Sequence, residues 1–465
     1  MNRISREIFF FPRQDLVWLG RNAFVLLIYW GILAYGYVAA VSPINSTAIS
    51  FYVRVDDLKV AEGLVWALAL LPSITTSWQR PSDYALTILY FIGLVPTLVI
   101  FGLADQSRST MYVIIAGYIA VWGVCRLPLQ LPQLRLTQRW SYSLFLAGVG
   151  SFATLGWFLL KGNPRNFNVD LAAVYDYRQA AVDLFGTGPL AYIAAWTPRV
   201  LLPFLMSYFL FKRRWFAFGL MFTFQLGCLI IFQEKSVLLP CVILPMLYFS
   251  PSGRWGRVWF IALLSLTVLA ADLIYQLYGL IFAVQFWTRR FFFVQQFLYF
   301  NYFDVFSKIG YVYFSDSFGS IFIRYPFQQT PALMVAYYVL GADMNANTGF
   351  LGAGYMEMGP AGVILYGVVI GIVLKFFDQL TPRNMPMWLL GATAFLPFMA
   401  MLVEMNLPTS LLTGGVGLFG VLMLTTSERT LSSPTREMTI LPGGNHNSSL
   451  GMPRSKLDNA LPRDR

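Results

Sequence analysis

The side chains able to do chemistry sit in a few short polar segments between long apolar runs. Val174-Tyr175-Asp176-Tyr177-Arg178 leads into Gln179-Ala180-Ala181-Val182-Asp183, which puts Asp176, Arg178 and Asp183 near one another without giving them a single helix face. Such a group is either a solvated, partly paired charge cluster at a helix end or, through Arg178, a fork of donors for an anionic headgroup. Glu234 and Lys235 occupy a tight turn between two apolar runs, where ions lie costly close to hydrocarbon. They read as a local ion pair or as a cation lining a lipid-phosphate pocket. Arg199 interrupts an apolar run beside Pro198, so it should face a polar cavity or a carboxylate such as Glu404.

Arg289 and Arg290 precede Phe291-Phe292-Phe293, with Tyr299, Asn301, Tyr302 and Asp304 following. A basic pair beside aromatics is an interfacial anchor or a phosphate binder. Arg324, in Ile321-Phe322-Ile323-Arg324-Tyr325-Pro326, divides in the same way between an exposed cation and a phosphate ligand. Asn345-Ala346-Asn347-Thr348-Gly349-Phe350 and Gly352-Ala353-Gly354-Tyr355-Met356-Glu357-Met358-Gly359-Pro360 lead into a glycine-studded helix. Glycine there serves close packing, or the segment lines a sugar site with Asn347, Tyr355 and Glu357. The one histidine, His446, falls in the polar C-terminal segment. Acid–base chemistry in the apolar part therefore falls to carboxylates, Tyr, Lys or Arg, and no histidine metal site is expected there.

The elements that must position these residues are helices in lipid. The chain of 465 residues is 57% hydrophobic and 12% charged, with mean hydropathy +0.60, too apolar for an aqueous core to hide. The excess lies in nearly charge-free runs of about 16 to 25 residues, the length a spanning helix requires. The runs read as spans near Ala23–Val41, Val60–Trp78, Tyr84–Gly102, Met111–Cys125, Ser141–Leu160, Leu190–Phe211, Phe216–Phe232, Val237–Phe249, Val258–Val284, Ala361–Phe376, Met387–Met405 and Leu411–Thr425. The fold expected is all-α and polytopic, with about twelve spans.

Lys and Arg concentrate in alternate loops, at Arg80, Arg126 to Arg139, Lys212 to Arg214, Arg254 and Arg257, and Lys375 and Arg383. By the positive-inside rule these loops and both tails are cytoplasmic. The net charge of +11 is spread over these loops and forms no stripe for nucleic acid. Residues 1–22 read as a cytoplasmic N-terminal segment followed by a retained signal anchor, 23–425 as the membrane domain, and 426–465 as a disordered cytoplasmic tail. Two long segments, 161–189 and 285–360, fall on the extracytoplasmic side. Within the second, Phe286–Phe306 has the composition of an interfacial helix or of a lid seated on the bundle. Cys125, Cys228 and Cys241 lie inside apolar runs and read as small hydrophobes.

Several of these positions together resemble the Wzy family, the O-antigen and capsule repeat-unit polymerases of the bacterial cytoplasmic membrane. The resemblance rests on Pro81-Ser82-Asp83, Val174 through Arg178, Lys235-Ser236, Arg290 with the aromatics to Phe306, and the pattern from Asn347–Gly349 to Tyr355–Gly362. It implies a GT-C-like membrane glycosyltransferase in the inner membrane, with its site on the extracytoplasmic side. The implied donor and acceptor are undecaprenyl-pyrophosphate-linked oligosaccharides, and the implied partners also include membrane lipid and a polysaccharide chain-length regulator, with no cofactor. Arg178, Lys235, Arg290, Arg199 and Arg324 would hold the pyrophosphate. Asn347, Tyr355 and Tyr175 would hold sugar, and Asp176, Asp304, Asp316 and Glu357 are the candidate bases. A lipid-linked oligosaccharide flippase and an O-antigen ligase are the alternatives. The lack of an internal repeat counts against the first, and the lack of an extracytoplasmic histidine against the second.

Overall fold

In the computed structural model the residues described are 13–45, 51–75, 78–129, 140–162, 184–186, 188–232, 235–250, 254–341, 344–381 and 385–426. All belong to one contact unit, 1–431; the segment 426–465 expected to be disordered lies, apart from Thr426, outside the described residues. The described residues are helical, with a single isolated bridge between Arg54 and Ala104. Nine of their helices are long and apolar enough to cross a membrane: Gly20–Ile44, Pro81–Leu103, Arg108–Arg126, Trp140–Lys161, Pro189–Phe211, Trp255–Tyr278, Phe350–Leu380, Met387–Glu404 and Leu407–Thr425. The chain is an all-α polytopic membrane protein. Trp215–Leu229 and Ser236–Tyr248 are shorter apolar helices that fall where two more spans are expected, and Asp57–Leu70 overlaps part of the run expected at Val60–Trp78.

Lipid as solvent explains the sidedness of these helices. On Trp140–Lys161 the exposed side chains include Phe145, Phe152 and Leu160, whereas Ser143, Gly150, Ser151 and Thr154 are buried, the reverse of a helix facing water. Small residues turned inward let backbones approach. Between Arg108–Arg126 and Phe350–Leu380, Gly117 faces Val363 and Leu351, Gly367 faces Ala120, and Gly371 faces Val124, each with less room than a methyl group needs. Pro81–Leu103 is buried along its whole length and forms the centre of the bundle. Its threonine hydroxyls are satisfied within the helix, Thr87 by the Asp83 carbonyl and Thr97 by the Gly93 carbonyl, both at 2.8 Å.

Two features differ from the apolar pattern. The run expected at Val258–Val284 ends at Tyr278, because Gly279 takes a left-handed conformation (φ 67°) and its amide closes the helix on the Tyr275 carbonyl. The chain restarts at Ile281 and stays helical to Ile309, partly as the π-helix Val284–Val294. Phe292, Phe293, Phe297, Tyr299, Tyr302 and Phe306 of this stretch are buried, and Gln296 donates to the Ile92 carbonyl in the central helix. Phe286–Phe306, expected as an interfacial helix or as a lid seated on the bundle, is a helix packed into the bundle against the central span.

The second feature is a reversal inside Phe350–Leu380. Met358 (φ −144°, ψ 22°) and Gly359 (φ 62°, ψ −144°) break the helix just before Pro360. Gly354 and Gly362 then touch backbone to backbone, although eight residues of straight helix would separate them by about 12 Å. Residues 350–357 are thus a short helix lying beside 360–380, and the span expected from Ala361 corresponds to the second arm only.

Candidate active site

The reversal at Gly359 presents Glu357 at the end of this helix remote from Asp378. Glu357 is 2% exposed, and the loop that follows Ile309 closes over it. The Val312 amide donates to the Met356 carbonyl (2.8 Å), the Tyr313 amide to the Glu357 carbonyl (3.0 Å), and the Phe314 amide to the Glu357 carboxylate (2.5 Å). To make this grip Tyr313 and Phe314 adopt φ of 53° and 60°, a left-handed conformation that costs a residue with a side chain about 1–2 kcal/mol. Strain of this kind persists only where surrounding contacts enforce it, and it gathers at functional sites.

The same turn carries Asp316, whose carboxyl is hydrogen-bonded to that of Glu357. Asp316 is exposed as a residue, but its carboxyl is turned inward, and burial raises its pKa above the usual carboxylate range against the opposing hydrogen bond from Ser317. Two carboxyls in contact share a proton, since both cannot ionise at that separation. Tyr325 belongs to the same neighbourhood: burial, then the Asp316 and Glu357 charges, pushes its phenol up to about 12.

Aromatic rings build the wall beside this pair. Tyr355 stacks on Phe303 with 3.7 Å between ring centres and meets Tyr311 edge-on at 5.8 Å, hydroxyl bonded to hydroxyl. Phe314 stacks on Tyr366 at 6.1 Å. Gly359 is required under Tyr311, because a side-chain carbon there would sit 2.6 Å from the Tyr311 hydroxyl. A carboxyl pair beside flat aromatic faces suits a polyol: rings stack on sugar faces while a carboxylate takes a hydroxyl proton.

The other residues singled out by sequence distribute unevenly. Tyr175, Asp176, Arg178 and Glu234 lie outside the described residues, and Lys235 opens the turn Lys235–Leu238 with its side chain also outside them. Asp304 is exposed and bound one turn along its own helix to Lys308 at 2.7 Å, with Tyr338 donating to the same oxygen at 3.2 Å. That hydrogen bond, then the one to Tyr338, raises the Lys308 pKa. Arg199 is half-buried in the π-helical turn Thr197–Leu201 and donates to the Ala195 carbonyl at 3.4 Å. Arg289 reaches Gln285 (3.1 Å) and lies over the Phe51 ring, whereas Arg290, Arg324 and Asn347 are exposed.

Pro81-Ser82-Asp83 is bound at the opposite end of Phe350–Leu380. The Ser82 amide and hydroxyl both donate to Asp378, at 2.9 and 2.8 Å. Nearby, Arg126 donates to the Ser73 carbonyl (3.1 Å) and Arg257 to those of Ile74 (3.0 Å) and Thr75 (2.6 Å), closing the end of the second apolar helix. Sequence reasoning passed over Asp378 and Asp272, although an acidic residue within an apolar run is itself a signal.

No protein-family model, no curated protein and no solved structure matches this chain.

Proposed function

We propose that this protein is a membrane glycosyltransferase that polymerises undecaprenyl-pyrophosphate-linked oligosaccharide repeat units. The growing chain passes from its lipid carrier to a hydroxyl of the next lipid-linked unit. The observation that carries this reading is the Asp316–Glu357 carboxyl pair under the strained turn at Tyr313 and Phe314, walled by Tyr355, Phe303 and Tyr311. In the reaction the acceptor hydroxyl oxygen bonds the donor's anomeric carbon as the bond from that carbon to the pyrophosphate oxygen breaks. The hydroxyl proton goes to the carboxyl pair, and the pyrophosphate leaves with the electron pair.

Direct contact between the two carboxyls argues against a hydrolase. Glycosidases hold their acid and base about 5–9.5 Å apart, on opposite sides of the scissile bond. A touching pair acts on one side, as a single base unit. The leaving pyrophosphate needs cations instead of an acid, and Arg290 and Arg324, with Arg178, Lys235 and Arg199, are the groups assigned to it. In this reading the shorter apolar helices complete twelve spans, both termini are cytoplasmic, and the site faces the extracytoplasmic side of the inner membrane.

The test is gel analysis of surface polysaccharide after deletion of the gene and complementation. Cells lacking the protein should display single repeat units, and the wild-type gene should restore long chains. Loss of all surface repeats on deletion would point to a flippase or a ligase and overturn the polymerase.

A further inference from the structure

Gln225 lies in the apolar helix Trp215–Phe232 and is fully buried, an amide that must find its partners inside the bundle. It finds two, on different elements. Its Nε2 donates to the Pro198 carbonyl at 3.0 Å and to the Val237 carbonyl at 2.8 Å. Both carbonyls are deprived of a helical donor by a proline. In the π turn Thr197–Leu201 the Leu202 amide goes to the Thr197 carbonyl, so the Pro198 carbonyl falls to residue 203, and Pro203 has no amide hydrogen. In the 3₁₀ turn Lys235–Leu238 the donor for the Val237 carbonyl would stand three residues on, at Pro240.

One side-chain nitrogen thus fastens two turns that are distant in sequence, and each turn carries a cation. Arg199 directly follows Pro198, and Lys235 stands two residues before Val237. Gln296 serves the Ile92 carbonyl in a similar way, four residues before Pro96, but it meets a single carbonyl with no cation beside it in sequence. The Gln225 clamp differs in joining two elements. It also leaves its own Oε1 buried without a hydrogen-bond partner among the described residues, a cost that the two bonds must outweigh.

We propose that Gln225 is a positioning residue for glycosyl transfer: by holding the two turns side by side it sets the spacing of the Arg199 and Lys235 backbones, and so where the two cations can meet one pyrophosphate. This rests on the reading of the protein as a polymerase with a pyrophosphate leaving group. A diphosphate spreads its charge over two neighbouring phosphoryl groups, and cations stabilise its departure only if they are in place when the bond breaks. Arg199 is tied to the Ala195 carbonyl on its own helix, so its reach is measured from the turn that Gln225 holds.

The test uses the full chain in detergent, with calorimetric binding of inorganic pyrophosphate measured beside polymerisation of lipid-linked repeats. Gln225→Met keeps length and bulk but removes both donors. Gln225→Glu, protonated between two carbonyls, keeps one donor and carries the test if Gln225→Met fails to fold. Pyrophosphate affinity should fall about tenfold in Gln225→Met and less in Gln225→Glu. The kcat should fall in the same order with the acceptor KM unchanged, a split that general loosening of the fold would not give. Adding Arg199→Gln to Gln225→Met should cost little further, because the two act through one contact. Equal pyrophosphate affinity in wild type and Gln225→Met overturns the proposal whether or not the protein polymerises, and so does a wild type that binds no pyrophosphate. A lowered melting temperature with binding and kcat intact also overturns it, leaving Gln225 a part of the scaffold. A wild type that binds pyrophosphate but builds no polymer removes the glycosyl-transfer reading instead, and the ranking of affinities then still decides whether Gln225 places the cations.

Discussion

Glu357 and Asp316 touch carboxyl to carboxyl across 41 residues of sequence, and the contact exists because the helix carrying Glu357 reverses at Gly359 while the turn carrying Asp316 is pinned to it by the Phe314 amide. Neither element holds the pair alone. Removing the hydrogen-bonding charge from either should therefore disable the base without unfolding the bundle. Glu357→Gln and Asp316→Asn are each expected to cut polymerisation by about 10²–10⁴-fold, the range for loss of a general base. The double variant should lose little beyond the worse single one, because the two act as a unit. Chain-length gels of polysaccharide made by purified protein from lipid-linked repeats would check this; full activity in Glu357→Gln would remove the pair from the chemistry.

The pair also sets a pH dependence. Burial raises the Asp316 pKa, and a group raised in this way is a working base only above its own displaced value. Polymerisation by the wild type should rise with pH through that value, above the usual carboxylate range, and Asp316→Asn should change the position of this limb. Initial rates across a pH series, at saturating acceptor, give the comparison.

Asp105 shows the opposite shift at the same end of the bundle. It holds Lys59 at 2.5 Å and Arg54 at 3.2 Å, and the hydrogen bond from Lys59 lowers its pKa. A carboxylate depressed in the folded state adds stability that is complete above its unfolded pKa and is lost as pH falls through the folded one. Lys59→Met should therefore melt below the wild type at neutral pH. The gap should narrow on acidification, as the wild type alone gives up this contribution. Unfolding midpoints at several pH values decide it, and a gap constant with pH would assign Lys59 to packing only.

Arg257, 3% exposed, is expected to matter more than its polar neighbour Arg126, whose side chain is 37% exposed. Arg257→Leu strips the donors from the buried Ile74 and part-buried Thr75 carbonyls, and a buried acceptor left unsatisfied costs about 1–3 kcal/mol. Arg126→Leu should cost less. Thermal scans of the two variants in detergent rank them.

Much of the fold was legible because lipid demands unbroken apolar length. Tyr84–Gly102, Met111–Cys125, Ser141–Leu160 and Leu190–Phe211 all lie within the helices observed at Pro81–Leu103, Arg108–Arg126, Trp140–Lys161 and Pro189–Phe211. The site was legible only in pieces. Glu357, Tyr355 and Asp316 stood out by type, but their meeting depends on left-handed turns at Tyr313, Phe314 and Gly359, and only the last has a residue that advertises such a turn. Asp272 was visible as an acid in an apolar run and was overlooked beside the more numerous arginines.

Gly359 gives the sharpest test of whether the reversal serves the site. Alanine there faces two separable penalties: its φ of 62° with ψ of −144° is a conformation nearly confined to glycine and costs a residue with a side chain about 1–3 kcal/mol, and its methyl group would meet the Tyr311 hydroxyl at 2.6 Å and ring at 2.7 Å. The first penalty belongs to the backbone and should appear as lowered thermal stability in Gly359→Ala. The second displaces Tyr311 from its edge-on contact with Tyr355 and should appear as lost polymerisation. Truncating the ring in Gly359→Ala/Tyr311→Ala relieves the clash but leaves the strained φ. If the reversal only shapes the fold, the double variant should regain part of the stability and activity of Gly359→Ala together. If Tyr311 holds sugar beside Tyr355, stability should recover in part while activity stays as low as in Tyr311→Ala, a split read by thermal scans and chain-length gels on the same four proteins.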